Sequence, residues 1–151
     1  MRTFHHILCI VALLLVNCSS PKKREIINAR ITAYTHTEND HIKYKNKTTI
    51  GTILKPGICA TNWAKIPLGS KLLINDHIYT VEDIGSALCS TKYDMPIVDL
   101  YFPNKREMRQ WGVKYMDIEV LEWGDWQKSK EILAPRLKYK HCRYMYDNIK
   151  L

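Results

Sequence analysis

Residues 81–102 constrain the fold of this chain most strongly, because an acidic residue lies inside an apolar run there. Residues 97–102 read Ile-Val-Asp-Leu-Tyr-Phe, which is typical of a buried strand except for Asp99. A carboxylate is costly to bury without polar partners, so its presence in such a strand indicates a site. Asp83 repeats the arrangement, since it follows a strand-like run and precedes Gly85, a residue type that lets a ligand approach the backbone closely.

Short alternating runs separated by turn residues predict the fold. The candidate strands are Ile26–Tyr34, Ile58–Ala60, Leu72–Ile74, Ile78–Val81, the Asp99 strand and Val113–Trp123. Asn75, Asp76 and His77 lie between two of these strands and favour a short hairpin, even without glycine. A short helix is expected over Lys105–Trp111, beginning near Asn104 and ending at Gly112. At 151 residues there is room for one domain, so we predict a mainly β fold, a small six-stranded barrel with one short helix.

The N-terminus has the layout of an export signal. The apolar run Ile7–Val16 follows a basic start and is too short to span a bilayer as a helix. Leu15 stands three residues before Cys18, which resembles a bacterial lipoprotein cleavage box, with Cys18 as the lipidated residue. The alternative is an ordinary signal peptide cut near Ser19. We therefore assign residues 1–18 to the signal and 19–29 to a tether, and expect an envelope lipoprotein that faces the periplasm, anchored to a membrane through Cys18.

The positive charge is concentrated at the C-terminus. The chain carries a formal charge of +8, and residues 127–151 hold seven basic and two acidic side chains. An exported protein rarely meets nucleic acid, so an acidic envelope polymer or a membrane surface is the better partner for such a segment. A solvated basic tail over residues 124–151 is the simpler interpretation, and the one we favour.

Cysteine and histidine patterns leave two minor questions. Once the leader is removed, an odd number of cysteines remains for pairing: Cys59, Cys89 and Cys142. A Cys59–Cys89 disulfide flanking the site and three free thiols are both open. His36, Asp40 and His41 lack a further ligand at a recognisable spacing, so neither a metal nor any other cofactor is predicted.

Five motifs then occur in an order that resembles a known family. They are Ile31-Thr32-Ala33-Tyr34, Thr48-Thr49-Ile50-Gly51, Ile66-Pro67-Leu68-Gly69-Ser70, Val81-Glu82-Asp83-Ile84-Gly85-Ser86-Ala87 and Val98-Asp99-Leu100-Tyr101-Phe102. This order is similar to that of the 3D (three-aspartate) domain, a double-psi β-barrel of bacterial cell-wall proteins that include membrane-bound lytic transglycosylases and muralytic proteins. The resemblance covers residues 30–123. It implies a double-psi barrel that acts on peptidoglycan glycan strands as a monomer.

The resemblance also implies roles for particular residues. Asp99 matches the family's catalytic aspartate, and Asp83 would raise the pKa of that neighbour or orient the sugar. The residues expected to bind substrate are Tyr34, Thr48, Thr49, Asn62 and Gly85. Asn62 stands where the family has its first aspartate, and it cannot ionise. Two functions follow: a lytic transglycosylase that leaves 1,6-anhydromuramyl ends, or a non-catalytic module that only binds peptidoglycan. From the residues alone, structural roles for both aspartates are the alternative.

Overall fold

A closed β-barrel forms the framework of the computed structural model, which describes residues 24–37 and 46–151. Its strands within this range are β1 (Glu25–Tyr34), β2 (Ile58–Thr61), β3 (Lys71–Ile74), β4 (His77–Asp83), β5 (Ile97–Tyr101) and β6 (Lys114–Glu122). Their order around the barrel is β1-β5-β2-β4-β3-β6. The β1–β5 and β2–β4 pairs are parallel, and the other neighbours are antiparallel. The prediction of a mainly β, six-stranded barrel is confirmed.

Alternation along the strands decides which side chains fill the barrel. The inward residues are Ala29, Ile31, Cys59, Leu72, Ile74, Tyr79, Val81, Val98, Leu100, Ile118 and Val120. Because successive side chains point to opposite faces, Asp99 points outward between the buried Val98 and Leu100. A second apolar cluster covers the outer face there: Tyr34, Leu54, Ile58, Ala60, Leu88, Ile97 and Tyr101. Asp99 therefore lies on an outer sheet face that is partly covered.

Two local sequence signals are confirmed. Asn75 and Asp76 have φ angles of 48° and 61° and join β3 to β4 as a two-residue hairpin turn. These residue types enter the left-handed region more readily than any other except glycine. Helix α1 (Lys105–Trp111) begins after Asn104, whose side chain caps its N-terminus, and ends at Gly112, where φ is 67°.

The C-terminal segment is folded, so the prediction of a solvated basic tail over residues 124–151 is wrong. It forms helix α2 (Trp126–Leu133), a 3-10 turn (Ala134–Arg136) and helix α3 (Lys140–Asn148). Its buried apolar residues belong to the main core: Leu133, Cys142, Met145 and Ile149. Their spacing is helical, while most of the basic residues face solvent, so the charge count conceals an apolar face. With α1, the described residues contain three α-helices rather than the single one predicted.

The N-terminal boundary also differs from the prediction. Strand β1 begins at Glu25, which pairs with Val120 of β6, so the assignment of residues 19–29 to a tether is wrong from Glu25 onward. The proposed signal, residues 1–18 with Cys18, lies outside the described residues. Across residues 24–37 and 46–151, no helix combines the length and the apolar character needed to cross a bilayer.

Candidate functional site

Four residues form a row across neighbouring strands on the outer face of the barrel. Asp99 of β5 is paired with Thr32 of β1 on one side and with Ala60 of β2 on the other. Ala60 is in turn paired with Asp83 of β4. Residues paired in register share a face, so both predicted catalytic carboxyl groups lie on the same side, separated by one small side chain. Two strand spacings place their Cα atoms roughly 10 Å apart.

A β-bulge in β4 brings Asp83 to this face. Cys59 of β2 is paired with Val81, whereas the next residue, Ala60, is paired with Asp83. Glu82 is therefore an additional residue in β4. Val81 faces the barrel interior, and strict alternation would turn Asp83 inward as well. The extra residue reverses this orientation and places Asp83 in the row with Asp99.

Asp99 retains partial exposure although its strand neighbours are buried. The Thr32 hydroxyl donates a hydrogen bond to Asp99 Oδ1. Such a bond orients the carboxyl group. Asp99 thus has two of the properties that a general acid–base residue requires, namely access from solvent and a defined orientation.

Asp83 holds the turn that covers this part of the sheet. Its side chain is nearly inaccessible, and Oδ1 accepts hydrogen bonds from the backbone N–H and the hydroxyl of Thr49, at 2.9 and 2.7 Å. Oδ1 also accepts the backbone N–H of Ile84 at 3.0 Å. The indole N–H of Trp63 donates to the Asp83 carbonyl oxygen at 3.1 Å. Because one oxygen of the Asp83 carboxylate accepts three hydrogen bonds, Asp83 orders residues 48–52 and positions them beside the row.

An aromatic wall adjoins the carboxyl groups. The ring of the buried Tyr34 lies edge-on to that of Tyr101, with centroids 5.6 Å apart at 64°. The Tyr101 hydroxyl lies 3.1 Å from Nδ1 of His36. Burial, and then the nearby acidic groups, including Asp83 and Asp99, raise the pKa of the Tyr34 phenol well above its usual value. Tyr34 is therefore a neutral phenol near neutral pH, within electrostatic reach of both carboxyl groups.

Local structure accounts for three residues that were predicted to bind substrate. Asn62 is 2% exposed, and its Oδ1 accepts a backbone N–H two residues on, so its amide stabilises its own turn. Oγ1 of the buried Thr48 accepts the N–H of Thr52 at 3.2 Å. Gly85 has an extended φ of −152°, and an added Cβ would meet only the Leu88 side chain at 3.4 Å. The predicted residues that do come together are Asp99, Asp83, Tyr34 and Thr49.

Three further residues belong to the site and were missed in the sequence. Thr32 is a polar strand residue, but its partner depends on the β1–β5 register, which no local pattern reveals. Oε2 of Glu82, the bulge residue, is buried and has no hydrogen-bond partner in the described part of the chain. Arg136 donates from Nη2 to the Thr49 carbonyl oxygen at 3.2 Å, which ties the C-terminal segment to the turn that Asp83 holds.

The cysteines near the site are not activated nucleophiles. Cys59, Cys89 and Cys142 are all free thiols in this structure, which corresponds to the second of the two alternatives left open by the sequence. Cys59 is fully buried in the barrel, and burial, followed by the charge of Asp99, raises its pKa. Burial and the adjacent Cys142 raise the pKa of Cys89 to about 11. Both thiols are therefore protonated at neutral pH.

The histidine–aspartate set considered as a metal site is only partly described. Asp40 and His41 lie outside the described residues. Within residues 24–37 and 46–151, no three His, Cys, Asp or Glu side chains are grouped so that they could hold a metal ion.

Alkylation of Cys89 in the reduced protein is expected to accelerate about tenfold for each pH unit between pH 7 and 10. A pKa raised to about 11 means that the reactive thiolate fraction still increases throughout this range. Cys142 helps to raise the pKa of the Cys89 thiol, whereas Arg136 acts to lower that of Cys142. Timed iodoacetamide trapping and peptide mass spectrometry measure the rate, with the buried Cys59 as the unreactive internal control. A rate that levels off near pH 8 would contradict the buried environment of Cys89.

Thr49→Val is expected to destabilise the protein by about 1–2 kcal/mol, because it removes a hydroxyl donor from the buried Asp83 while keeping the side-chain shape. Thr52→Val is the matched control on the same turn, since no hydrogen bond of the Thr52 hydroxyl is found among the described residues. Urea unfolding of both variants measures the difference. Equal stabilities would show that the Thr49–Asp83 bond does not hold the turn.

Comparison with known proteins identifies no family for this chain, so its function is inferred from the site. No protein-family model matches the chain, and a search of curated proteins finds no match either. The likeness to the 3D domain therefore rests on the order of five short motifs.

Proposed function

We propose that this chain is a lytic transglycosylase that cleaves the glycan strand of peptidoglycan and leaves 1,6-anhydromuramyl ends. The observation that carries the proposal is the row in which Asp99 and Asp83 flank Ala60 on one outer face of a closed barrel. The order of the 3D-like motifs along residues 30–123 supports the same reaction. Export through the N-terminal signal and anchoring at a lipidated Cys18 belong to this proposal, because they bring the protein to its substrate.

Asp99 is the acid–base residue of the proposed reaction. Its carboxylic acid protonates the glycosidic oxygen as the bond to the anomeric carbon breaks. The muramic acid 6-hydroxyl then bonds to that carbon, and its proton passes to the Asp99 carboxylate. No water is consumed, and the enzyme returns to its starting state. One carboxyl group suffices because the substrate supplies the nucleophile, unlike the carboxylate pair of hydrolytic glycosidases.

The surrounding residues orient this acid and the turn beside it. Thr32 fixes the rotation of the Asp99 carboxyl group through its hydroxyl. Asp83 acts indirectly, since Thr49 and Ile84 already occupy its Oδ1. The buried Tyr34 packs edge-on against Tyr101 and supports the apolar wall beside the carboxyl groups as a neutral phenol. The site is thus one accessible acid with a positioned turn and an apolar wall.

A second candidate is a peptidoglycan-binding module without catalysis. It is favoured by the hydrogen bonding of Asp83 and Asn62, because both side chains are buried and serve local structure. If Asp99 were likewise only structural, the barrel face would bind glycan without turnover. The two candidates differ in one observable, which is the formation of product.

Digestion of purified sacculi in heavy-oxygen water distinguishes the candidates. A lytic transglycosylase releases muropeptides that are one water lighter than hydrolysis products and that carry no heavy oxygen, as read by mass spectrometry. Products with heavy oxygen at a reducing end would identify a hydrolase and refute the proposal. Binding to sacculi in a sedimentation assay, with neither product, would favour the binding module.

A further inference from the structure

Two cysteines that are distant in sequence lie together at the edge of the barrel. Cys89 ends the short 3-10 helix Ser86–Cys89, and Cys142 lies in the first half of α3. The Cys89 Sγ is 3.9 Å from the carbonyl oxygen of His141, the residue bonded to Cys142. The two elements are in contact, and both cysteines pack in the main core cluster. Cys59 belongs to the same core cluster but lies on β2, where the groups that act on its thiol are Asp99, Glu82 and Asp83, whereas Cys142 acts on the Cys89 thiol.

We propose that Cys89 and Cys142 form a disulfide that links α3 to the 3-10 helix beside the site. The inference rests on the proposed function in one respect, since export would bring the chain to a compartment where disulfides persist. Its geometry is independent of any activity. The pairing replaces the Cys59–Cys89 bridge considered from the sequence.

The oxidation needs a disulfide oxidant, of which glutathione disulfide is the simplest. Cys89 is the more accessible of the two thiols, so its thiolate attacks the oxidant and releases one glutathione thiol. Cys142, which is 1% exposed, then attacks the Cys89 sulfur of the mixed disulfide and releases the second. Two electrons and two protons pass from the protein thiols to the oxidant. The products are one protein disulfide and two glutathione molecules.

This bond would secure the contact between the C-terminal segment and the site. Arg136 already joins that segment to the Thr49 carbonyl oxygen, and Thr49 is bound to Asp83. Strand β4 ends at Asp83, and the 3-10 helix that carries Cys89 begins after Ile84 and Gly85. Oxidation therefore links two segments whose neighbouring residues, Arg136 and Asp83, both contact Thr49, and it closes a loop of about 50 residues in the unfolded chain.

Peptide mapping of the full-length protein tests the pairing. Trypsin places the three cysteines on separate peptides, residues 48–65, 72–92 and 141–143. After incubation with glutathione disulfide, alkylation and digestion without reductant, we expect peptide 72–92 linked to 141–143. We also expect the thermal midpoint to be higher for the oxidised protein than for the reduced protein. Cys142→Ser should abolish the linked peptide, whereas Cys59→Ala should leave it unchanged.

Two results would overturn the proposal. One is that Cys89 and Cys142 are both alkylated in wild-type protein after complete reaction with the oxidant. The other is a linked peptide that contains residues 48–65. The map is read on the wild-type chain, so an unstable variant does not prevent a decision. Because it measures no cleavage of peptidoglycan, its outcome is separate from that of the sacculus digestion.

Discussion

Asp99→Asn is expected to reduce the release of anhydro-muropeptides by at least about 100-fold, the lower end of what a positioned acid–base group contributes. The amide keeps the size of the side chain and an oxygen that can accept the Thr32 hydroxyl, but it cannot transfer the proton. The strand pairing of β5 with β1 and β2 does not involve the side chain. The circular dichroism spectrum and the thermal midpoint should therefore stay close to those of wild type.

Asp117→Asn is the matched control for this experiment. Asp117 is exposed on β6, where its Oδ1 accepts a hydrogen bond from Asn28, so the substitution changes the net charge equally and away from the row. Its activity on sacculi should equal that of wild type. Full activity in a folded Asp99→Asn protein would remove Asp99 from the reaction and leave the proposed mechanism without its acid.

Gly124→Ala is expected to have the largest effect on stability. An added Cβ would lie 2.0 Å from the Leu68 carbonyl oxygen and 2.5 Å from the Ser70 nitrogen. Both are backbone atoms held by hydrogen bonds, since the Asp125 N–H donates to the Leu68 oxygen at 2.9 Å and the Ser70 N–H donates to the Pro67 carbonyl oxygen at 3.2 Å. Relief of the clash requires a backbone shift. The cost should reach about 3 kcal/mol, at the upper end of measured overpacking effects.

Gly85→Ala is the control that distinguishes the backbone clash at Gly124 from a general cost of replacing any glycine. Its φ is extended, and the new methyl group would meet only a side chain, at 3.4 Å. Its stability should stay within about 0.5 kcal/mol of wild type. In thermal unfolding, we expect a midpoint lowered by about 10 °C for Gly124→Ala and nearly unchanged for Gly85→Ala. Similar midpoints for the two variants would contradict the tight packing of Gly124 on Leu68.

These two glycines show which structural requirements can be predicted from neighbouring residues and which cannot. Gly85 attracts attention because it follows an acidic residue at the end of a strand, yet nothing in the structure requires a glycine there. Gly124 lies between two tryptophans in a segment assigned to a tail, and the contact that demands it is with residues more than fifty positions away. A requirement for glycine that arises from contact with distant backbone cannot be predicted from the neighbouring residues in the sequence.

The helical C-terminal segment was missed for a related reason. Its net charge is a property of composition, whereas burial depends on which residues share one helix face. Cys142, Met145 and Ile149 recur at helical spacing, a pattern that the surrounding lysines and arginines obscure. Arg136, one of the residues counted toward a tail, instead contacts the turn at Thr49.

The sequence by itself determined the parts of this protein that act over a few residues. They include the strand that holds Asp99, the Asn75-Asp76 hairpin and the Asn104-capped helix, because alternation, turn conformation and capping are local effects. The tertiary structure alone decided the site. A bulge at Glu82 sets whether Asp83 faces inward or outward, and the β5–β2–β4 register sets which residue stands between the two carboxyl groups. Register is fixed by pairing between distant strands, so a one-residue change, invisible in the local pattern, would have separated Asp83 from Asp99.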